Sequence, residues 1–171
     1  LPIKPGRCAT KTHDYKRHGT TTLYAALNVL DGKVIGHCVP RCCAKEFIKF
    51  LAKIDRATPP DLDLHVIVDN SSTHKTAEVQ RWLRRHRRFH LHFTPTSGSW
   101  LNLVESWFAI LTKQRIRRGV FRSVPELIAA IDDYLRLYNA TPTQFAWTKD
   151  ADEILAKIER ARRVLTRRVG K

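Results

Sequence analysis

The chain has 171 residues and is 43% hydrophobic, with 31 Lys and Arg against 16 Asp and Glu, a net charge of +15; its pI is near 10.2. That length suits one domain with a real core, and no apolar run approaches the roughly 20 residues of a membrane-spanning helix. So basic a chain favours polyanions, with nucleic acid as the default partner, although basic balance alone also fits ribosomal or membrane-surface proteins.

Residues 1–19 are polar and basic, with Pro2, Pro5 and Gly6, and read as a loop or arm. Thr20 to Asn28 and Lys33 to Val39 read as strands joined by an Asp31-Gly32 hairpin signal. A helix follows over Ala44 to Ile54, with Phe47, Ile48, Leu51 and Ile54 on one face. The connector Asp55 to Leu64 holds Pro59-Pro60, and His65 to Asp69 is an apolar run that predicts a buried parallel strand. After the Asn70-Ser71-Ser72 turn, a helix from Thr76 to His86 is expected to bury Val79, Trp82 and Leu83, and Leu91 to Phe93 is a short strand. A loop over Thr94 to Ser99 leads into a helix from Leu101 to Arg118 that stops at Gly119. Ser123 to Glu126 forms a capping box with Pro125 in the first turn, starting a helix that turns Ile128, Ile131, Leu135 and Tyr138 inward and breaks over Asn139 to Pro142. A last amphipathic, basic helix is read over Asp150 to Arg168. Strands alternating with helices predict an α/β layered domain, divided into residues 1–148 and a basic C-terminal helix over 149–171.

Cys8, Cys38, Cys42 and Cys43 form no CxxC pair. The His37-Cys38 and Cys42-Cys43 spacing suits zinc poorly, and these residues read as reduced thiols. The chain holds no Met and starts Leu-Pro-Ile-Lys-Pro-Gly, so a fragment or a truncated reading frame is expected.

The chemistry is expected between Asp69 and Glu105. Asp69 falls at the carboxyl end of a predicted strand, where ligands gather in α/β sheets. At about 100° per residue, Leu101, Val104, Phe108 and Leu111 share a helix face, and Glu105 is placed on that stripe. A charge there is costly unless paired or metal-bound, so the two carboxylates suggest a shared divalent-metal site. The plain alternative makes Asp69 a helix cap and Glu105 a surface residue. Asn70 fits a turn, and His74 could orient a water or contact a phosphate. Basic runs include Arg81, Arg84, Arg85, Arg87 and Arg88, then Lys113, Arg115, Arg117, Arg118 and Arg122, then Arg160 to Lys171. They argue for phosphate contacts without base specificity. Trp100, Trp107 and Trp147 suit a core or an interface, with Trp100 the best candidate for base stacking.

The set Val68-Asp69-Asn70, His74, Thr94-Pro95-Thr96-Ser97 and Trp100-Leu101-Asn102-Leu103-Val104-Glu105 resembles the DDE transposases, in the bacterial insertion-sequence branch related to mariner elements. The 35 residues between the two carboxylates are close to that branch's spacing. The Pro5-Gly6-Arg7 arm, Gly119 to Val124 and Tyr138 to Thr148 carry the likeness along nearly the whole chain. The resemblance implies an RNase-H-like mixed sheet flanked by helices. It implies two Mg²⁺ or Mn²⁺ ions on an Asp-Asp-Glu triad, with Asp69 as the second acid and Glu105 as the third, supported by Asn70, His74 and Asn102. It implies DNA as partner, met by Arg81, Arg84, Arg85, Arg88, Lys113, Arg117, Arg118 and Trp100. Action as a homo-oligomer on DNA and a cytoplasmic, nucleoid-associated location follow as expectations.

The family's first Asp and first strand precede the point where this chain starts, and its helix-turn-helix region is not in the sequence. Asp14 lies in a basic loop and Asp31 is explained by the hairpin. We therefore expect a catalytic domain for metal-dependent DNA strand cleavage and strand transfer that lacks its full metal site and its first strand, and is marginally stable alone. The alternatives are a non-catalytic basic DNA-binding remnant of a mobile element and an RNase-H-like nuclease that does no joining.

Overall fold

A computed structural model describes residues 18–95 and 103–144. Two strands, β1 (Thr22–Leu27) and β2 (Val34–Val39), pair antiparallel. Helix α1 (Ala44–Ala57) follows, then β3 (Leu64–Val68), a 3₁₀ turn over Ser72–Lys75, α2 (Ala77–Arg85) and β4 (Phe89–Phe93). The chain continues through α3 (Leu103–Leu111), a π-helical turn over Thr112–Ile116 and α4 (Val124–Ala140).

The hairpin turn is longer than the two residues its sequence suggests. Gly32 N–H donates to the Asn28 carbonyl at 2.8 Å, and Asn28 N–H donates to the Lys33 carbonyl at 2.8 Å. Asp31 still does turn work, since its carboxylate accepts from Lys33 N–H at 2.9 Å. Gly32 has φ +74°, the left-handed region that a side chain disfavours.

The strands form two two-stranded sheets among the described residues, where the resemblance implies one mixed sheet. β3 and β4 are parallel, as the apolar run predicts, with Val66 opposite Leu91. Only one face of this pair is covered by described residues. Val68 and Phe89 join Phe47, Phe50, Leu51, Ile54 and Val79 in a core between the pair and helices α1 and α2. His65, Ile67, His90 and His92 stand on the other face, and Ile67 is 55% exposed. The expectation of a strand buried on both faces is thereby corrected: side chains alternate with period two, and α1 and α2 cover a single side.

The β1–β2 hairpin lies between two helical layers. Tyr24, Ala26 and Ile35 face the α1 core. Leu23, Ala25, Leu27 and Val34 face a second core built on Trp107, Leu111, Ile131 and Leu135 of α3 and α4. Gly36 of β2 permits this approach, because a Cβ there would lie 2.4 Å from Leu135 Cδ1.

α4 begins as its capping sequence predicts. Ser123 Oγ accepts from Glu126 N–H at 3.3 Å. The Glu126 carboxylate reaches back one residue further than a standard box, to Arg122 N–H at 2.7 Å. The helix runs through Asn139, which the sequence places in the break. Its side-chain amide accepts from Val34 N–H and donates to the Val34 carbonyl, both at 2.8 Å. A side chain thus takes the place of a neighbouring strand at the start of β2.

Candidate active site

Asp69 follows β3 directly, and its side chain is 55% exposed. Thr94 N–H donates to the Val68 carbonyl at 2.9 Å, the rung that follows the last paired residues of β3 and β4. His74, in the 3₁₀ turn, is 8% exposed and sits against Phe47 with ring centroids 4.0 Å apart. Its Nε2 lies 2.8 Å from Asp69 Oδ1. Nδ1 is buried with no hydrogen-bond partner among the described residues. This arrangement selects the neutral ring with its proton on Nε2, since a bare lone pair is less costly to bury than an unpaired N–H. Burial holds the His74 pKa below its ordinary 6.5, against the opposing pull of the Asp69 carboxylate. One Asp69 oxygen is therefore oriented by a rigid neutral donor, while the carboxylate remains open to solvent.

Asn70 is exposed beside Asp69, and Lys75 donates to its side-chain oxygen. Lys75 also lies 5.0 Å from the centre of the Phe93 ring, at the end of β4. The one signal for Lys75 in the sequence is a cation adjacent to His74.

Glu105 occupies the first turn of α3 and is exposed. The expected stripe is displaced: α3 buries Trp107 and Leu111, and Glu105 stands roughly 200° around the helix from Trp107. Val104 and Phe108 are half-buried at the edges of that face. Glu105 is therefore not a buried charge but an exposed carboxylate that a cation or nucleic acid can reach. Among the described residues, no group of three or more His, Cys, Asp or Glu side chains is placed to share a metal ion. Asn102 and Trp100 lie outside the described residues, as do Asp14, Trp147 and the expected C-terminal helix.

The basic residues divide into two kinds. Arg81, Arg84 and Arg85 project from α2 into solvent, and Lys113, Arg117 and Arg118 are exposed around the π turn. Arg88 is committed internally. Its Nε lies 3.1 Å from Asp55 Oδ1, its guanidinium donates to Thr58 Oγ1 and the Pro59 carbonyl, and it lies 5.9 Å from the centre of the Phe89 ring. Arg88 ties β4 to the α1–β3 connector. Trp107 is fully buried, as a core tryptophan. The thiols of Cys38, Cys42 and Cys43 are free, and the Cys42 sulfur is 3.1 Å from the Tyr24 hydroxyl.

These features define an RNase-H-like α/β domain with an acidic residue at a strand's carboxyl end and a basic surface. Solved structures agree on the fold. The simian T-cell lymphotropic virus intasome, in complex with PP2A regulatory subunit B56 gamma, superposes with a TM-score of 0.58 at 17% identity, over 86% of this chain and 58% of that chain. The Mos1 transposase paired-end complex with left transposon end gives 0.55 at 21% identity, over 84% and 43%. A family model described as DDE superfamily endonuclease matches residues 2–128. The chain belongs to this family. The Shigella sonnei "Insertion element IS630 uncharacterized 39 kDa protein" is 25% identical over 96 residues, 56% of this chain and 28% of that protein. The match thus spans less than a third of that relative. No helix among the described residues is long and apolar enough to cross a membrane.

Proposed function

We propose that the chain is the catalytic domain of an insertion-sequence transposase that cleaves and joins DNA strands with Mg²⁺ or Mn²⁺. The observation that carries this reading is Asp69 at the carboxyl end of β3, held by buried His74 in a chain of the DDE family. The donor chemistry fits: solvent-open carboxylate oxygens suit hard divalent cations. Asp69 and Glu105 would be the ligands. When bound, such ions supply an activated nucleophile and neutralise charge at the phosphodiester.

The protein's own contributions are orientation and electrostatics. His74 Nε2–H fixes one Asp69 oxygen and directs the carboxylate outward. Lys75 holds the Asn70 side chain at the rim of the site. Arg81, Arg84 and Arg85 on α2, and Lys113, Arg117 and Arg118 beyond α3, attract and position the phosphate backbone. Action by more than one copy on DNA belongs to the same reading.

The test is Mn²⁺-dependent nicking of supercoiled DNA, followed by joining of an element-end oligonucleotide. Asp69→Ala and Glu105→Ala should each abolish nicking while leaving DNA binding in place. Nicking that survives both substitutions would reject the reading. Salt-dependent binding with no metal-dependent cleavage would instead identify a non-catalytic DNA-binding domain, and nicking without joining would identify a nuclease.

A further inference from the structure

The open face of the β3–β4 pair carries a cluster that the carboxylate site does not use. The parallel register sets His65 opposite His90 and Ile67 opposite His92. Side chains alternate with period two, so all three histidines stand on the face that α1 and α2 leave uncovered. Their rings form a row with His65 in the middle. Its centroid lies 4.9 Å from that of His90 and 5.2 Å from that of His92, at 21° to each plane. All three side chains are exposed among the described residues.

The row holds one converging pair of donors. His65 Nδ1 lies 2.9 Å from His92 Nε2, and one of these nitrogens donates to the other, which holds the two rings in place. His90 is turned elsewhere, with its Nε2 3.8 Å from Asp63 Oδ1. The 2.9 Å separation discriminates among cations. Two imidazole nitrogens at roughly 2.05 Å from a metal stand roughly 2.9 Å apart when they meet it at a right angle, and roughly 3.3 Å apart at the tetrahedral angle. The pair therefore fits adjacent corners of a square-planar or octahedral shell better than a tetrahedral one. Rotation about χ2, a broad torsion in histidine, aims both lone pairs at one point. Hard cations prefer oxygen, so Mg²⁺ is a poor occupant.

We infer that His65 and His92 form a two-imidazole site for a divalent cation of the Cu²⁺ or Ni²⁺ class. Such ions take nitrogen donors in tetragonal geometry. No third His, Cys, Asp or Glu side chain joins the pair among the described residues, so water completes the shell. Bound there, the ion ties β3 to β4 across the sheet. The site lies apart from Asp69, with roughly 13 Å of extended strand between His65 and that residue. It stands independently of the proposed function, since neither histidine takes part in the carboxylate site.

The experiment is carbethoxylation of the full chain by diethyl pyrocarbonate, mapped residue by residue with tandem mass spectrometry, across a titration with Ni²⁺ alone. Ni²⁺ should protect His65 and His92 with one shared midpoint, and Mg²⁺ at the same concentrations should protect neither. His65→Gln should raise the Ni²⁺ midpoint at His92 by roughly tenfold or more, since even losing a group that only supports a ligand costs that much. His92→Gln should do the same at His65. His90→Gln should leave the shared midpoint unchanged, and so should Asp69→Ala, which separates this site from the carboxylate site. Thermal melts of each variant check folding, which these exposed changes should leave intact. Unequal midpoints at His65 and His92, protection of His92 that survives His65→Gln, or an equal loss in His90→Gln overturns the inference. The proposed function stands in each of these cases, because its own test reads DNA nicking.

Discussion

The buried imidazole of His74 lies 2.8 Å from Asp69 Oδ1, so a partly exposed carboxylate is oriented by a side chain that belongs to the core. The ring is packed on Phe47, with Nδ1 enclosed and unpaired among the described residues. Burial lowers its pKa, so between the folded and the unfolded values the unfolded chain binds the extra proton. Stability then rises with pH. The His74 contribution is fully present above the ordinary value of 6.5 and is lost as pH falls through it toward the lower folded value. Urea midpoints from pH 8 to pH 5 should show a steeper acid-side loss for the wild type than for His74→Gln. Parallel pH profiles would refute this account.

Arg84 and Arg88 are four residues apart and should behave differently. Arg84→Ala is expected to lower the salt slope of DNA binding by about 1 and to change stability by less than about 0.5 kcal/mol. Arg88→Ala removes the partner of Asp55, Thr58 and Pro59 and should cost about 1–3 kcal/mol, with no change in the salt slope. Denaturant melts paired with anisotropy titrations separate the two effects.

Asn139 and Val34 test the junction of α4 with the hairpin. Asn139→Ala leaves both backbone groups of Val34 without their partner and should cost about 2 kcal/mol or more. Asn139→Asp should not restore stability, because it keeps the acceptor and sets a carboxylate against the Val34 carbonyl. Equal urea midpoints for wild type and Asn139→Ala would show that water replaces the amide.

The thiols should differ in reactivity. Cys42 is exposed, whereas burial, with Asp132 adding to it, raises the Cys38 pKa. The thiolate is the reactive form, so iodoacetamide at pH 7.5 should label Cys42 well before Cys38, as followed by mass spectrometry of peptides. Faster labelling of Cys38 would contradict the packing of β2.

Periodicity and caps made most elements legible. The apolar spacing of Phe47, Leu51 and Ile54 forms one face of α1, and Ser123 with Glu126 starts α4. The Asp69-Asn70 to Glu105 motif was readable too, because it is a local signature joined by a fixed spacing. Such signals need only neighbouring residues. Tertiary structure decided which face each element buries. Glu105 left the expected apolar stripe because Trp107, the bulkier group, defines the buried side of α3. Arg88 became a structural tie because Asp55 and Thr58 meet it from 33 and 30 residues away. The amide of Asn139 found Val34 across 105 residues. The order of residue types encodes local hydrogen bonding and periodicity. It does not encode which distant partner satisfies a buried polar group, since that depends on packing all the layers at once.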